Sequence, residues 1–117
     1  MPISRGEVYF VELGPVIGKE LNVKRRPVLV LSINDINSKP LVITVVPGTK
    51  AAGKQTNLKN SVFVAPTSAN GLKCDTLFQC HQVRSLDHSR FSLRAVGRIA
   101  PSDLLRVEAA ARYCLGL

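Results

Sequence analysis

The sequence predicts a mainly β fold: a small, strongly bent barrel capped by a C-terminal helix. Three observations carry this expectation. Short apolar and β-branched runs recur along most of the chain, turn-forming dipeptides separate them, and helical spacing of apolar residues begins only after Pro101. At 117 residues the chain makes one domain, 1–117, with a single core.

Taken in order, Glu7-Val8-Tyr9-Phe10-Val11-Glu12-Leu13 alternates in part and suits a half-buried strand. Pro27 fixes φ and lacks an N–H, so it fits the first residue of a second strand and biases Arg26 toward extended geometry. Val28 to Leu31 is apolar without a break, as for a strand covered on both faces. Leu41 to Val46, Ser61 to Val64, Thr76 to Val83 and Leu93 to Ile99 read as the remaining strands. Gly14-Pro15, Asn34-Asp35, Pro47-Gly48, Ala52-Gly53 and Asn70-Gly71 supply the turns. The connections from Gly14 to Lys24 and from Thr49 to Asn60 are long for hairpins, and long polar loops on a small β scaffold commonly carry function. Pro101-Ser102-Asp103 opens the helix, with Ser102 as its N-cap and Asp103 near the positive end of the dipole. Leu104, Val107, Ala111 and Leu115 then form an apolar stripe.

Sixteen Lys and Arg against eight Asp and Glu leave a formal charge of +8, which points to a polyanionic partner. The basic residues are clustered. Lys50, Lys54 and Lys59 fall between Thr49 and Asn60 with no acid, and four arginines lie between Arg84 and Arg98 against Asp87 alone. No apolar run approaches the roughly 18 residues of a membrane span, and no basic-then-apolar leader opens the chain, so the expectation is a cytoplasmic protein without a membrane partner. Cys74, Cys80 and Cys114 are odd in number and lack CxxC spacing; buried free thiols are expected rather than disulfides or a zinc site, and no cofactor is implied.

In Lys24-Arg25-Arg26-Pro27, two guanidinium groups stand at the rim of a rigid strand, where the planar fork of Arg26 can grip a phosphate bidentately. The order of residues is recognisable from here. Arg5-Gly6-Glu7-Val8-Tyr9, Gly14-Pro15, Gly18-Lys19-Glu20 and Arg26-Pro27-Val28-Leu29-Val30 resemble the opening of the MazF/PemK family of toxin endoribonucleases. Val45-Val46-Pro47-Gly48-Thr49, Cys80-His81-Gln82-Val83-Arg84-Ser85-Leu86-Asp87 and the terminal Cys114-Leu115-Gly116-Leu117 extend the resemblance over nearly the whole chain.

The resemblance implies an SH3-like barrel of the CcdB/MazF/PemK kind. It also implies a homodimer that cuts single-stranded RNA at short recognition sequences without a metal, neutralised by an antitoxin with a disordered acidic tail. It maps the catalytic arginine to Arg26, the threonine ending the third strand to Thr49, and the glutamate of the first loop to Glu20. This chain departs from the family where the PemK branch has a basic residue and an aspartate, because those positions are Gln79 and His81.

The chemistry is consistent with that assignment. Metal-free RNA cleavage uses the 2′-hydroxyl as nucleophile, so the protein must accept a proton, stabilise a phosphorane and protonate the leaving oxygen. Arginine, whose guanidinium gives up its proton only far above neutral pH, serves as a fixed charge rather than a base, while Thr49 offers a hydroxyl to the same phosphate. His81, expected on the same strand face as Gln79 and opposite Cys80, is either a proton carrier or a groove wall. His88, in a turn, is expected to be solvent-exposed.

Lys19, Glu20, Arg25, Lys50, Lys54, Gln79, Gln82 and Arg84 are the expected RNA-binding residues of a basic groove. With no Trp and only Tyr9, Phe10, Phe63, Phe78, Phe91 and Tyr113 as aromatics, extensive base stacking is not the expected mode of reading. Two other functions suit the same barrel: a CcdB-type gyrase poison, which acts by binding a protein, and a non-catalytic RNA-binding barrel.

Overall fold

The computed structural model describes residues 2–14, 25–39, 42–53 and 59–117. Its elements are β1 (Glu7–Glu12), β2 (Arg25–Val30), α1 (Asn34–Asn37), β3 (Val42–Lys50), β4 (Ser61–Val64), β5 (Thr76–Gln79), β6 (Arg84–Asp87), β7 (Gly97–Arg98) and α2 (Pro101–Leu115), with 3₁₀ turns at Cys80–Gln82 and His88–Arg90. The strands form one bent sheet in the order β4-β5-β3-β2-β1-β7, and β6 lies on β3 beside that path. The result is a half-barrel with a C-terminal helix.

The unbroken apolar run of β2 is explained by its central place between β1 and β3. Register aligns Val8 with Leu29 and Leu29 with Val46, and this row belongs to a core cluster with Phe78, Val107 and Ala111 beneath α2. One residue along, Val28 and Val30 turn to the opposite face and pack with Tyr9, Val11, Ile43, Val45 and Leu86. Val28, Leu29 and Val30 are all fully buried, so both faces are covered as the sequence implied.

The third strand is longer than expected. Pro47-Gly48, read as a turn, instead marks a bend inside β3, which carries on to Lys50. Val42 to Val45 pair with β6, Val45 to Pro47 with β2, and Gly48 to Lys50 with β5, so one strand serves both halves of the bent sheet. Glycine is required at the bend, because a Cβ on Gly48 would stand 2.7 Å from Thr76 Cγ2 and 3.2 Å from both Phe78 and Pro27.

The bend also breaks the strand expected from Thr76 to Val83. A chain running antiparallel beside β3 cannot follow it round the corner in one register; β5 therefore ends at Gln79 and β6 starts at Arg84. Cys80 anchors the corner. It is fully buried, its N–H donates to the Asn60 carbonyl at 2.9 Å, and burial pushes its thiol up to about 12. Cys74 and Cys114 are only half-buried, which corrects the expectation of three buried thiols. Asn34-Asp35, also read as a turn, opens the short α1.

Of the run from Leu93 to Ile99, only Gly97–Arg98 is a strand, paired with β1. The turn at Asn70-Gly71 holds this segment. Asn70 is 3% exposed; its Oδ1 accepts from the N–H groups of Thr67 and Leu72 at 3.0 and 2.9 Å, and its Nδ2 donates to the Ala65 carbonyl at 3.0 Å. Asn70→Ala strands these backbone groups in the interior, and a loss of about 2–4 kcal/mol of stability is expected, read as a lower urea midpoint at unchanged slope.

Helix α2 begins two residues earlier than expected. Ala100, not Ser102, is the N-cap, and Pro101 occupies the first turn, where a missing N–H costs nothing. Val107, Ala110 and Ala111 face the core, whereas Leu115 is 58% exposed and drops off the expected stripe. Arg5 fastens the helix to the barrel, donating both to the Leu31 carbonyl and to the Glu108 carboxylate.

Candidate active site

The start of β2, the end of β3 and the start of β5 surround a cleft of about 620 Å³. Its geometry follows from the pairing. Phe10 lies across from Pro27, the Pro27 ring abuts Gly48, and Lys50 lies across from Thr76. The flat rings of Phe10 and Pro27, the bare Gly48 and the small Thr76 leave a depression where larger side chains would fill the sheet surface. Arg25, Arg26, Thr49 and Lys50, all expected site residues, line it together with Phe10, Lys73, Cys74, Leu93 and Val96.

Four cations therefore converge on one cleft, and no carboxylate is among its described lining residues. Arg25 and Arg26 are exposed at the opening of β2, where long stems reach the rim. Arg25 is lightly tethered: Nη2 stands 3.9 Å from the Glu12 carboxylate, and Nη1 donates to Ser92 Oγ at 3.5 Å. An exposed pair at that distance contributes little, so the guanidinium remains available to an anion. Thr49 is half-buried and sits across from Leu77 of β5.

The other expected residues are placed elsewhere. His81 belongs to the 3₁₀ corner, so it shares no strand face with Gln79; it is exposed, within 3.5 Å of the Gln82 amide, and does not line the cleft. Gln79, half-buried opposite Ser61, Gln82 at the corner, and Arg84, exposed on β6 opposite Val45, also stand outside it. His88 is half-buried rather than exposed, its Nε2 lying 3.1 Å from the Lys39 carbonyl. Lys19, Glu20 and Lys54 lie outside the described residues.

Of the lining residues not expected at the site, Lys73 and Phe10 are in contact with each other. Lys73 places its ammonium 5.1 Å from the Phe10 ring centroid. Phe10 was legible as a member of β1 on the same face as Val8, but nothing local shows that this face opens into a cleft. Lys73 follows the Asn70-Gly71 turn, and its relevance depends on β5 pairing with the strand end that holds Thr49.

Among the described residues, no group of three or more His, Cys, Asp or Glu side chains could hold a metal ion. The arrangement suits an anion: a phosphate in the cleft meets positive charge from several sides beside the half-buried Thr49, while the buried Thr76 donates its own hydroxyl to the Cys74 carbonyl at 2.9 Å.

Known proteins resemble this chain in sequence and in fold. A family model described as PemK-like, MazF-like toxin of type II toxin-antitoxin system matches residues 4–115. Endoribonuclease MazF9 of Mycobacterium tuberculosis is 34% identical over 120 aligned positions, covering 98% of this chain and 98% of its own length. Endoribonuclease EndoA of Bacillus subtilis is 32% identical over 92 positions, 79% of this chain and 77% of its own. A mycobacterial endoribonuclease solved in complex with its cognate antitoxin superposes with a TM-score of 0.76 at 20% identity, over 98% of this chain and 96% of that one. MazF from Deinococcus radiodurans gives 0.76 at 21% identity over 100% and 99% of the two chains.

Proposed function

The chain belongs to the PemK-like, MazF-like toxin family of type II toxin–antitoxin systems, and from that premise we propose that its basic cleft cleaves single-stranded RNA without a metal, by attack of the 2′-hydroxyl on the adjacent phosphate. Endoribonuclease activity follows from relatives that are endoribonucleases along the full chain, and the gyrase-poison and non-catalytic alternatives give way to it. The observation that carries the mechanism is the convergence of Arg25, Arg26, Thr49, Lys50 and Lys73 on one cleft.

In this reading the P–O2′ bond forms as the P–O5′ bond breaks, the 2′-hydroxyl proton passes to solvent water and the departing 5′-oxygen takes a proton from solvent, while Arg26 holds the charge that accumulates on the non-bridging oxygens of the phosphorane. Thr49 hydrogen-bonds the same phosphate. Arg25, Lys50 and Lys73 bind the flanking backbone, which makes affinity fall steeply with salt. Two copies of the chain form a homodimer, extending a shallow cleft into a longer groove. An antitoxin with a disordered acidic tail occupies the same cations and competes with RNA, ordering as it binds. The chain acts in the cytoplasm; no helix among the described residues is long and apolar enough to cross a membrane.

The test is incubation of the purified protein with a long single-stranded RNA in excess EDTA. Cleavage at a small set of sites is expected at the rate seen without chelator, and an excess of acidic antitoxin tail is expected to suppress it. Activity that disappears with EDTA and returns with a divalent ion refutes the metal-free mechanism.

A further inference from the structure

The cleft holds an aromatic ring that the catalytic scheme does not use, the half-buried Phe10, with the Lys73 ammonium above it, 5.1 Å from the centroid. Phe10 begins an apolar floor. Pro27 lies directly across the β1–β2 pairing, and beyond it Gly48, whose missing side chain brings Pro27, Thr76 and Phe78 together next to Thr49. Leu93 and Val96, both exposed, line the same cleft. A phosphate site alone has no need of this surface. An aromatic face continued by a proline ring, open to solvent and rimmed by cations, suits an unpaired nucleobase whose phosphate lies beside it. At about 620 Å³ the cleft has room for a whole nucleotide.

Building on the assignment of the cleft to RNA, we propose that Phe10 is the stacking platform for one unpaired base flanking the scissile phosphate, and that Lys73 is its gate. In the free protein the ammonium covers the ring face, an electrostatic contact available to any cation. An arriving base offers the ring a larger flat partner and brings a phosphate with it. Lys73, on a flexible four-carbon stem, exchanges the weak π contact for a full negative charge. Ring and gate therefore act together: the base is admitted only with its phosphate, so a strand of nucleotides is retained while a free base or an apolar molecule meets a covered ring. Stacking tolerates every base but strengthens with ring area, so purines are favoured at this position.

The experiment uses an RNA the protein cuts, with 2′-deoxyribose at the cut and 2-aminopurine placed in turn at each of the two flanking nucleotides. Quenching of 2-aminopurine fluorescence is expected at one of them on binding wild-type protein. Phe10→Leu, which keeps an apolar side chain without the π face, is expected to abolish that quenching and to weaken RNA binding about ten- to hundredfold. Phe10→Trp is expected to retain both. Lys73→Met removes one exposed phosphate-binding cation and leaves the ring in place; it is expected to keep the quenching while lowering the slope of log affinity against log salt by about 0.7.

Absence of quenching at both positions, or a Phe10→Leu protein with wild-type quenching and affinity, overturns the platform. A Lys73→Met protein with an unchanged salt slope overturns the gate. Either result is compatible with continued RNA cleavage. A wild-type protein that neither binds nor cuts RNA instead removes the assignment of the cleft to RNA, and this inference with it.

Discussion

A single 2′-deoxy substitution at the cut site is expected to abolish cleavage while leaving RNA binding within a few-fold of normal. The proposed nucleophile is the 2′-oxygen itself, so removing it removes the reaction rather than slowing it. Water is a poor substitute here. The 2′-oxygen is held beside the phosphorus by the ribose that carries both, whereas an external water has to be bound and oriented separately. Binding survives because it rests on phosphates, which the substitution does not touch. On unmodified RNA the upstream fragment should end in a 2′,3′-cyclic phosphate, or the 3′-phosphate it hydrolyses to, and the downstream fragment in a 5′-hydroxyl. Mass spectrometry of the fragments reads both ends. Cutting that persists at the deoxy position would sink the mechanism.

Arg26→Ala is expected to lower kcat by roughly 10²- to 10³-fold with only a small change in affinity, because its charge matters most where negative charge accumulates in the transition state. Three other cations, Arg25, Lys50 and Lys73, remain in the cleft to hold the ground-state phosphate. Arg26→Lys should recover part of the loss, since an ammonium keeps the charge but not the bidentate fork. Thr49→Ala should follow the same pattern more mildly, by about tenfold, as expected for one neutral hydroxyl. Single-turnover rates at saturating protein separate kcat from binding. An Arg26→Ala protein with full activity would place the reacting phosphate elsewhere.

The structural consequences of single residues were legible to different depths. Arg26 was readable because its position depends on its neighbour: Pro27 sets the local geometry, and the apolar run behind it ties the strand into the core. Thr49 was readable only through resemblance, since its own surroundings in sequence read as the start of a loop, whereas it lies within β3. His81 shows the opposite case. Alternation placed it beside Gln79 on a strand, but the break in that strand is imposed by the bend of β3 more than thirty residues earlier, and the imidazole stands outside the cleft.

The amino-acid sequence by itself determined what depends on near neighbours. It marked the apolar runs that become β1, β2 and β4, the double burial of Val28 to Val30, the helix after Pro101 and the excess of positive charge. These signals are local because backbone preference and burial pattern act over a few residues. Tertiary structure decided what depends on pairing. Pro47-Gly48 became a bend because β2, β5 and β6 all claim parts of one strand, and that shared strand split Thr76 to Val83. The same bend set Gly48 against Pro27 and opened the cleft where Phe10 and Lys73 meet Arg26 and Thr49. Register between strands far apart in the chain is a property of the whole sheet: shifting one pairing by a single residue turns every side chain on that strand to the other face, so no segment read alone specifies which side chains will share a site.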